Sequence, residues 1–231
     1  MLNFVEGEIL LVDKPLEWTS FDVVKKLKFL IQRVTGKKKI KVGHAGTLDP
    51  LASGLLVLCS GKKTKQIPSI QDAEKEYTGE FYLGATTASY DLETEPENFQ
   101  ETAHLSVDDL KKAASKQTGP FMQQPPLFSA KKVNGTRAYK LARQGSDMQL
   151  EAKAIEVYEF ELTRIELPIV EFRIRCSKGT YIRSMAHDFG KELKVGAYLK
   201  SLRRTEIGDY RVSDAKGIEE WVELISSSNV I

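Results

Sequence analysis

At 231 residues, 41% apolar and 29% charged, the chain has the make-up of a globular protein with room for one large domain or two small ones. Its net charge, 34 − 32 = +2, names no partner, no apolar run approaches the ~20 residues of a membrane span, and the acidic start lacks the basic, apolar make-up of a signal peptide. The two cysteines, Cys59 and Cys176, stand apart without CxxC spacing or a histidine cluster, so they read as reduced core thiols of a cytoplasmic protein and not as metal ligands.

Gly7 to Val12 reads as a short buried strand ending at Asp13-Lys14-Pro15. Thr19 or Ser20 can cap a helix that runs to about Val34 and stops at Gly36, with Phe21, Val24, Leu27, Leu30 and Ile31 at helical spacing. Strands are predicted at Ile40 to Val42 and Leu55 to Leu58, a short helix at Lys62 to Ile70 and a strand at Glu76 to Leu83. Residues 84–100 read as a polar loop. Ser106 and Asp109 form a capping-box start for a helix to about Lys116.

Gln123 to Gly145 carries Pro125-Pro126, an Asn134-Gly135 hairpin signal and a short basic helix, and it reads as an exposed insertion that grips a ligand. Strands follow at Ala154 to Ile165 and Ile169 to Cys176. In the second, Val170, Phe172, Ile174 and Cys176 alternate with Glu171, Arg173 and Arg175, the pattern of a half-buried antiparallel strand. Gly179 to Leu193 reads as loop then helix, Leu199 to Gly208 and Tyr210 to Val212 as strand, and Gly217 to Ile225 as a terminal helix. The class is α+β, with a large mixed, mostly antiparallel sheet flanked by helices and loops.

Charge is segregated. Val23 to Val42 holds eight Lys or Arg and no acid, and so does Leu110 to Ser146. Acids gather at Asp91 to Glu101, Glu151 to Glu166 and Asp214 to Glu223. That distribution predicts a basic face for a polyanion and an acidic back.

The run Gly43-His44-Ala45-Gly46-Thr47-Leu48-Asp49-Pro50-Leu51-Ala52-Ser53-Gly54 places one carboxylate in a turn-rich loop between apolar segments, where a reactive side chain can be held in place. It resembles the active-site motif of the TruB family of tRNA pseudouridine synthases. Four further segments resemble the same family in order. They are Val12-Asp13-Lys14-Pro15, Lys75-Glu76-Tyr77, the run from Gln124-Pro125-Pro126 through Ser129-Ala130 to Ala142-Arg143-Gln144-Gly145, and Cys176-Ser177-Lys178-Gly179-Thr180-Tyr181-Ile182-Arg183 with Leu202-Arg203-Arg204-Thr205 beyond it. The resemblance covers about residues 8–212.

The resemblance implies a single pseudouridine-synthase catalytic domain over residues 1–231, with a thumb insertion at about 123–153. It also implies isomerisation of uridine 55 in the T-loop of tRNA. Asp49 matches the catalytic aspartate and Arg183 the arginine that pairs with it; a cation within ~4–6 Å favours the ionised form of a carboxylate. Tyr77, also placed in the catalytic set, and Tyr181 match residues that contact the flipped uridine. Leu202 matches an apolar residue that closes the pocket, and His44 the histidine that fills the space left by the extruded base. Lys14 and Pro15 are expected to support the pocket. No cofactor or metal is implied, and the chain is expected to act as a monomer on the T-stem-loop, away from membranes. Many members carry a C-terminal PUA-type RNA-binding domain, which is not expected here. Two other readings stay open: an RNA-binding or tRNA-folding protein without catalysis, and a pseudouridine synthase with another RNA target.

Overall fold

The computed structural model describes residues 2–129, 131–133, 135–145, 148 and 150–227, excluding the side chains at 132 and 133. The chain forms two compact units, Met1–Tyr77 with Leu202–Ile231, and Thr78–Ser201.

The first unit opens with β1 (Ile9–Lys14) and α1 (Ser20–Thr35). The Thr19 hydroxyl accepts from the Asp22 N–H, and the Asp22 carboxylate accepts from the Thr19 N–H, each at 3.0 Å. This capping box satisfies two of the helix's otherwise unpaired donors, and Gly36, at φ 66°, ends the helix in the left-handed region. The buried stripe is Val23, Val24, Leu27 and Ile31. Phe21, expected on it, is 69% exposed. At 3.6 residues per turn it lies about 200° around the helix from Val23, away from the core.

Next come β2 (Val42–His44), β3 (Ala52–Ser60), a 3-10 turn (Gly61–Gln66), α2 (Ile67–Asp72) and the first residues of β4 (Lys75–Leu83). The strand expected at Ile40 begins at Val42, so His44 ends a short strand. The helix expected over Lys62 to Ile70 divides in two, with Pro68 in the first turn of the second part, where its missing N–H costs nothing. Leu56 and Leu58 of β3 pack into one cluster with Leu10, Val12, Leu27 and Trp221, while Leu55, Val57 and Cys59 pack into another with Ile70 and Ile207. With both faces covered, β3 reads in sequence as a nearly unbroken apolar run.

The second unit takes up the rest of β4, then α3 (Val107–Lys116), β5 (Gly119–Gln123), β6 (Lys132–Val133), β7 (Thr136–Arg137), α4 (Ala138–Arg143), β8 (Lys153–Glu166), β9 (Ile169–Cys176), α5 (Ile182–Glu192) and the start of β10 (Ala197–Ile207). Its strands run in the order β10-β4-β9-β8-β5. The alternation expected in β9 is present, with Val170, Phe172, Ile174 and Cys176 buried. On the other face Arg173 pairs with Glu161 at 2.9 Å and Arg175 with Glu159 at 3.5 Å, each opposite its partner in the β8–β9 register. Phe81, Phe160, Phe172 and Phe189 form an aromatic cluster with ring centroids 4.3–6.5 Å apart. β6 and β7 pair antiparallel about the predicted hairpin, although Asn134 itself, like Ala130, lies outside the described residues.

The chain returns to the first unit in β10, followed by β11 (Tyr210–Arg211) and α6 (Ile218–Ser227). β10 lies parallel to β3, with Leu202 opposite Ala52 and Arg204 opposite Gly54. β1 and β2 both lie antiparallel to β3. The pairing is therefore mixed and mostly antiparallel, and the fold is α+β as expected. Among the described residues no helix is long and apolar enough to cross a membrane.

Candidate active site

Asp49 sits half-buried in the loop between β2 and β3, where its carbonyl accepts from the Ala52 N–H at 3.1 Å. The loop is bolted down on both sides of Asp49. Before it, the buried Ser20 hydroxyl accepts from the Leu48 N–H at 2.9 Å and donates to the Leu48 carbonyl at 3.1 Å. After it, the Pro50 carbonyl accepts from the Glu17 N–H at 2.8 Å and from Lys14 Nζ at 3.5 Å. The fully buried Lys14 ammonium also donates to the carbonyls of Pro15 at 2.8 Å and Trp18 at 2.7 Å. Burial pushes the Lys14 ammonium down to about 8, the Asp49 carboxylate opposes that fall, and the Arg204 cation adds to it. The Lys14 ammonium thus joins the Pro50 carbonyl of the loop to the carbonyls of Pro15 and Trp18.

Arg204 anchors the loop from β10. It is 1% exposed, and its guanidinium donates to the carbonyls of Leu55 at 2.8 Å and Gly46 at 3.0 Å. Gly54, at φ +99°, lies against the same residue, and a Cβ there would stand 2.3 Å from the Arg204 carbonyl oxygen. The glycine is what lets β10 and β3 approach at the foot of the loop. Burial, and then the Arg204 cation, lower the affinity of His44 for a proton.

The β10–β3 register sets Leu202 beside Ala52, three residues after Asp49. Tyr77 is buried in β4, and its neighbour Glu76 accepts from the Thr205 hydroxyl of β10 at 2.8 Å. Lys14, Pro15, His44, Asp49, Tyr77 and Leu202 all belong to the first unit.

Tyr181 and Arg183, at the start of α5, belong to the second unit. Arg183 is 4% exposed, so it is no surface charge. Its Nη1 donates to the carbonyls of Phe128 at 2.8 Å and Ser89 at 3.3 Å, and its Nε lies 3.6 Å from the Asp91 carboxylate. Asp91, expected among the acids of an exposed back, is 5% exposed and forms this buried ion pair. Ser184 donates to the Gln124 carbonyl at 2.7 Å, and Gln123 bonds the backbone of Tyr181 twice. The start of α5 is thereby tied to residues 123–128, the root of the expected thumb. Within the expected thumb, Arg143 pairs with Glu93 at 2.7 Å.

Sequence reasoning missed the partners of these residues. Ser20 reads as a helix cap, Asp91 as one acid in a cluster, and Gln123 as the first residue of a loop. Arg204 lay within the Leu202-Arg203-Arg204-Thr205 motif, with no role attached.

Residues 32–182 match the family model described as TruB family pseudouridylate synthase, N terminal domain. The chain belongs to the TruB family. It is 53% identical over 222 residues to the tRNA pseudouridine synthase B of Flavobacterium johnsoniae, covering 96% of this chain and 97% of that protein. To the protein of the same name from Chloroherpeton thalassium it is 52% identical, covering 95% and 91%. Solved structures carry a similar fold: a Cbf5-Nop10-Gar1 complex matches with a TM-score of 0.72 at 26% identity, and an H/ACA RNP bound to a substrate RNA with 0.69 at 25%. The match covers 99% and 95% of this TruB-family chain but only 58% and 54% of those longer ones.

Proposed function

We propose that this chain isomerises uridine 55 in the T-loop of tRNA to pseudouridine, with Asp49 as the reacting carboxylate. The observation that carries this reading is the near full-length identity of about one half to proteins named tRNA pseudouridine synthase B. It is supported by a loop built to hold Asp49 on both sides, through Ser20, Lys14 and Arg204.

The reaction breaks the N1–C1′ bond of the uridine, turns the base and joins C5 to C1′; the hydrogen on C5 leaves as a proton. The target lies within folded RNA, so it is flipped out first, at a cost of a few kcal/mol. Asp49 then acts on the nucleotide, as nucleophile or as base toward the sugar, with Arg183 balancing its charge. Tyr77 and Tyr181 hold the extruded base, where stacking contributes ~1–3 kcal/mol. Tyr77 also stands where the C5 proton is transferred. Leu202 closes the pocket, and His44 fills the space the base vacates. The thumb at about 123–153 grips the T-stem-loop, while Lys37, Lys38, Lys39 and Lys41, all exposed, meet phosphates. In this reading residues 1–231 form one catalytic domain, acting as a monomer in the cytoplasm.

The test is tritium release from tRNA labelled with 5-³H-uridine. The chain releases one tritium per tRNA, and Asp49→Ala releases none while keeping its RNA affinity. Tight binding by the unaltered chain with no release would favour a binding protein instead.

A further inference from the structure

Gln123 closes a two-bond ring on the backbone of Tyr181. Its Nε2 donates to the Tyr181 carbonyl at 3.0 Å, and its Oε1 accepts from the Tyr181 N–H at 2.8 Å. The side chain is 2% exposed, so water competes for neither bond. Tyr181 is the residue just before α5, and its own side chain makes no capping bond there. Its carbonyl also accepts from the Met185 N–H at 3.1 Å, the first bond of the helix. The main chain of Tyr181 is therefore fixed from the helix on one side and from Gln123 on the other.

The origin of Gln123 gives this contact its meaning. It is the last residue of β5, whose register on β8 is set by Gln123 opposite Lys153 and Phe121 opposite Ile155. The expected thumb begins at Gln123. The next residues repeat the attachment: the Gln124 carbonyl accepts from Ser184, and the Phe128 carbonyl from Arg183. Three of the first four residues from Tyr181 to Ser184 are thus bonded to the thumb's root.

We propose that Gln123 is a positioning residue that sets Tyr181 for the flipped uridine and ties the placement of that ring to the root of the thumb. This rests on the reading above, in which Tyr181 contacts the base. An amide is the group that suits the position: it donates and accepts at once in one plane, matching a backbone N–H and carbonyl of the same residue. Methionine keeps the length and loses both bonds. Glutamate keeps the acceptor for the Tyr181 N–H and loses the donor to its carbonyl.

The experiment measures single-turnover tritium release and the RNA dissociation constant for Gln123→Met, Tyr181→Ala and the double variant. Gln123→Met is expected to slow the rate about ten-fold or more, since small displacements of positioned groups are costly, and to leave the dissociation constant within about two-fold. Added to Tyr181→Ala it slows nothing further, because a residue that acts through Tyr181 has nothing left to act on. Gln123→Glu falls between the unaltered chain and Gln123→Met, and it replaces Gln123→Met in the cycle if that variant does not fold. A loss that multiplies in the Tyr181→Ala background, or one found wholly in the dissociation constant, overturns the proposal for Gln123 alone. Normal rates for Tyr181→Ala would overturn the reading of Tyr181, and the proposal with it.

Discussion

Lys14 shows how much one buried cation can hold. Its ammonium meets three carbonyls in a setting that lowers its proton affinity from 10.5 to about 8. A fall of that size corresponds to on the order of 3 kcal/mol against the protonated fold. The sign follows from proton counting. Between pH 8 and 10.5 the unfolded chain keeps the proton that the fold has released, so stability rises with pH across that window; below 8 both states hold it and the cost is constant. Lys14→Met lacks this rise. Denaturant midpoints taken from pH 7 to 10 should show the unaltered chain gaining on Lys14→Met above pH 8, and parallel curves would count against the assignment. Asp49, beside this cation, is the matching case on the chemical side: a loop residue whose backbone neighbours are all spoken for.

At the scale of the element, α1 does two jobs with adjacent residues. Thr19 caps the helix, and Ser20 holds the Leu48 backbone next to Asp49. Thr19→Ala should cost about 1 kcal/mol of stability and leave turnover unchanged. Ser20→Ala strands a buried N–H and carbonyl, costing ~1–3 kcal/mol, and should also slow tritium release. Equal effects of the two on rate would remove Ser20 from the loop's support. The caps Thr19, Gly36 and Ser106 and the alternation of β9 were legible because they are local: each signal lies within a few residues of its effect. β5 was not legible. Its burial alternates, but its residues do not: apolar Met122 is exposed and polar Gln123 is buried, and it contains Pro120, which an edge strand tolerates. Asp91 and Gln123 were missed for the same reason, since their partners lie 92 and 58 residues away in sequence. The Asp49 loop was readable as a motif, and the bonds of Ser20 and Arg204 to its backbone were not, because a hydrogen bond to a distant backbone leaves no pattern in the chain.

Across the whole molecule, near-zero net charge conceals a lysine cluster open to solvent at Lys37, Lys38, Lys39 and Lys41. Changing all four to Gln should weaken tRNA binding, flatten its dependence on salt by about 3 to 4 in log–log slope, and leave the single-turnover rate intact. An unchanged slope would place the phosphates elsewhere. The central claim joins a reaction, a position and a residue, and mapping pseudouridine at single-nucleotide resolution in an unmodified tRNA transcript tests all three at once. The account predicts one new pseudouridine, at position 55, with the unaltered chain and none with Asp49→Asn. Modification at another position, or undiminished modification by Asp49→Asn, would contradict it.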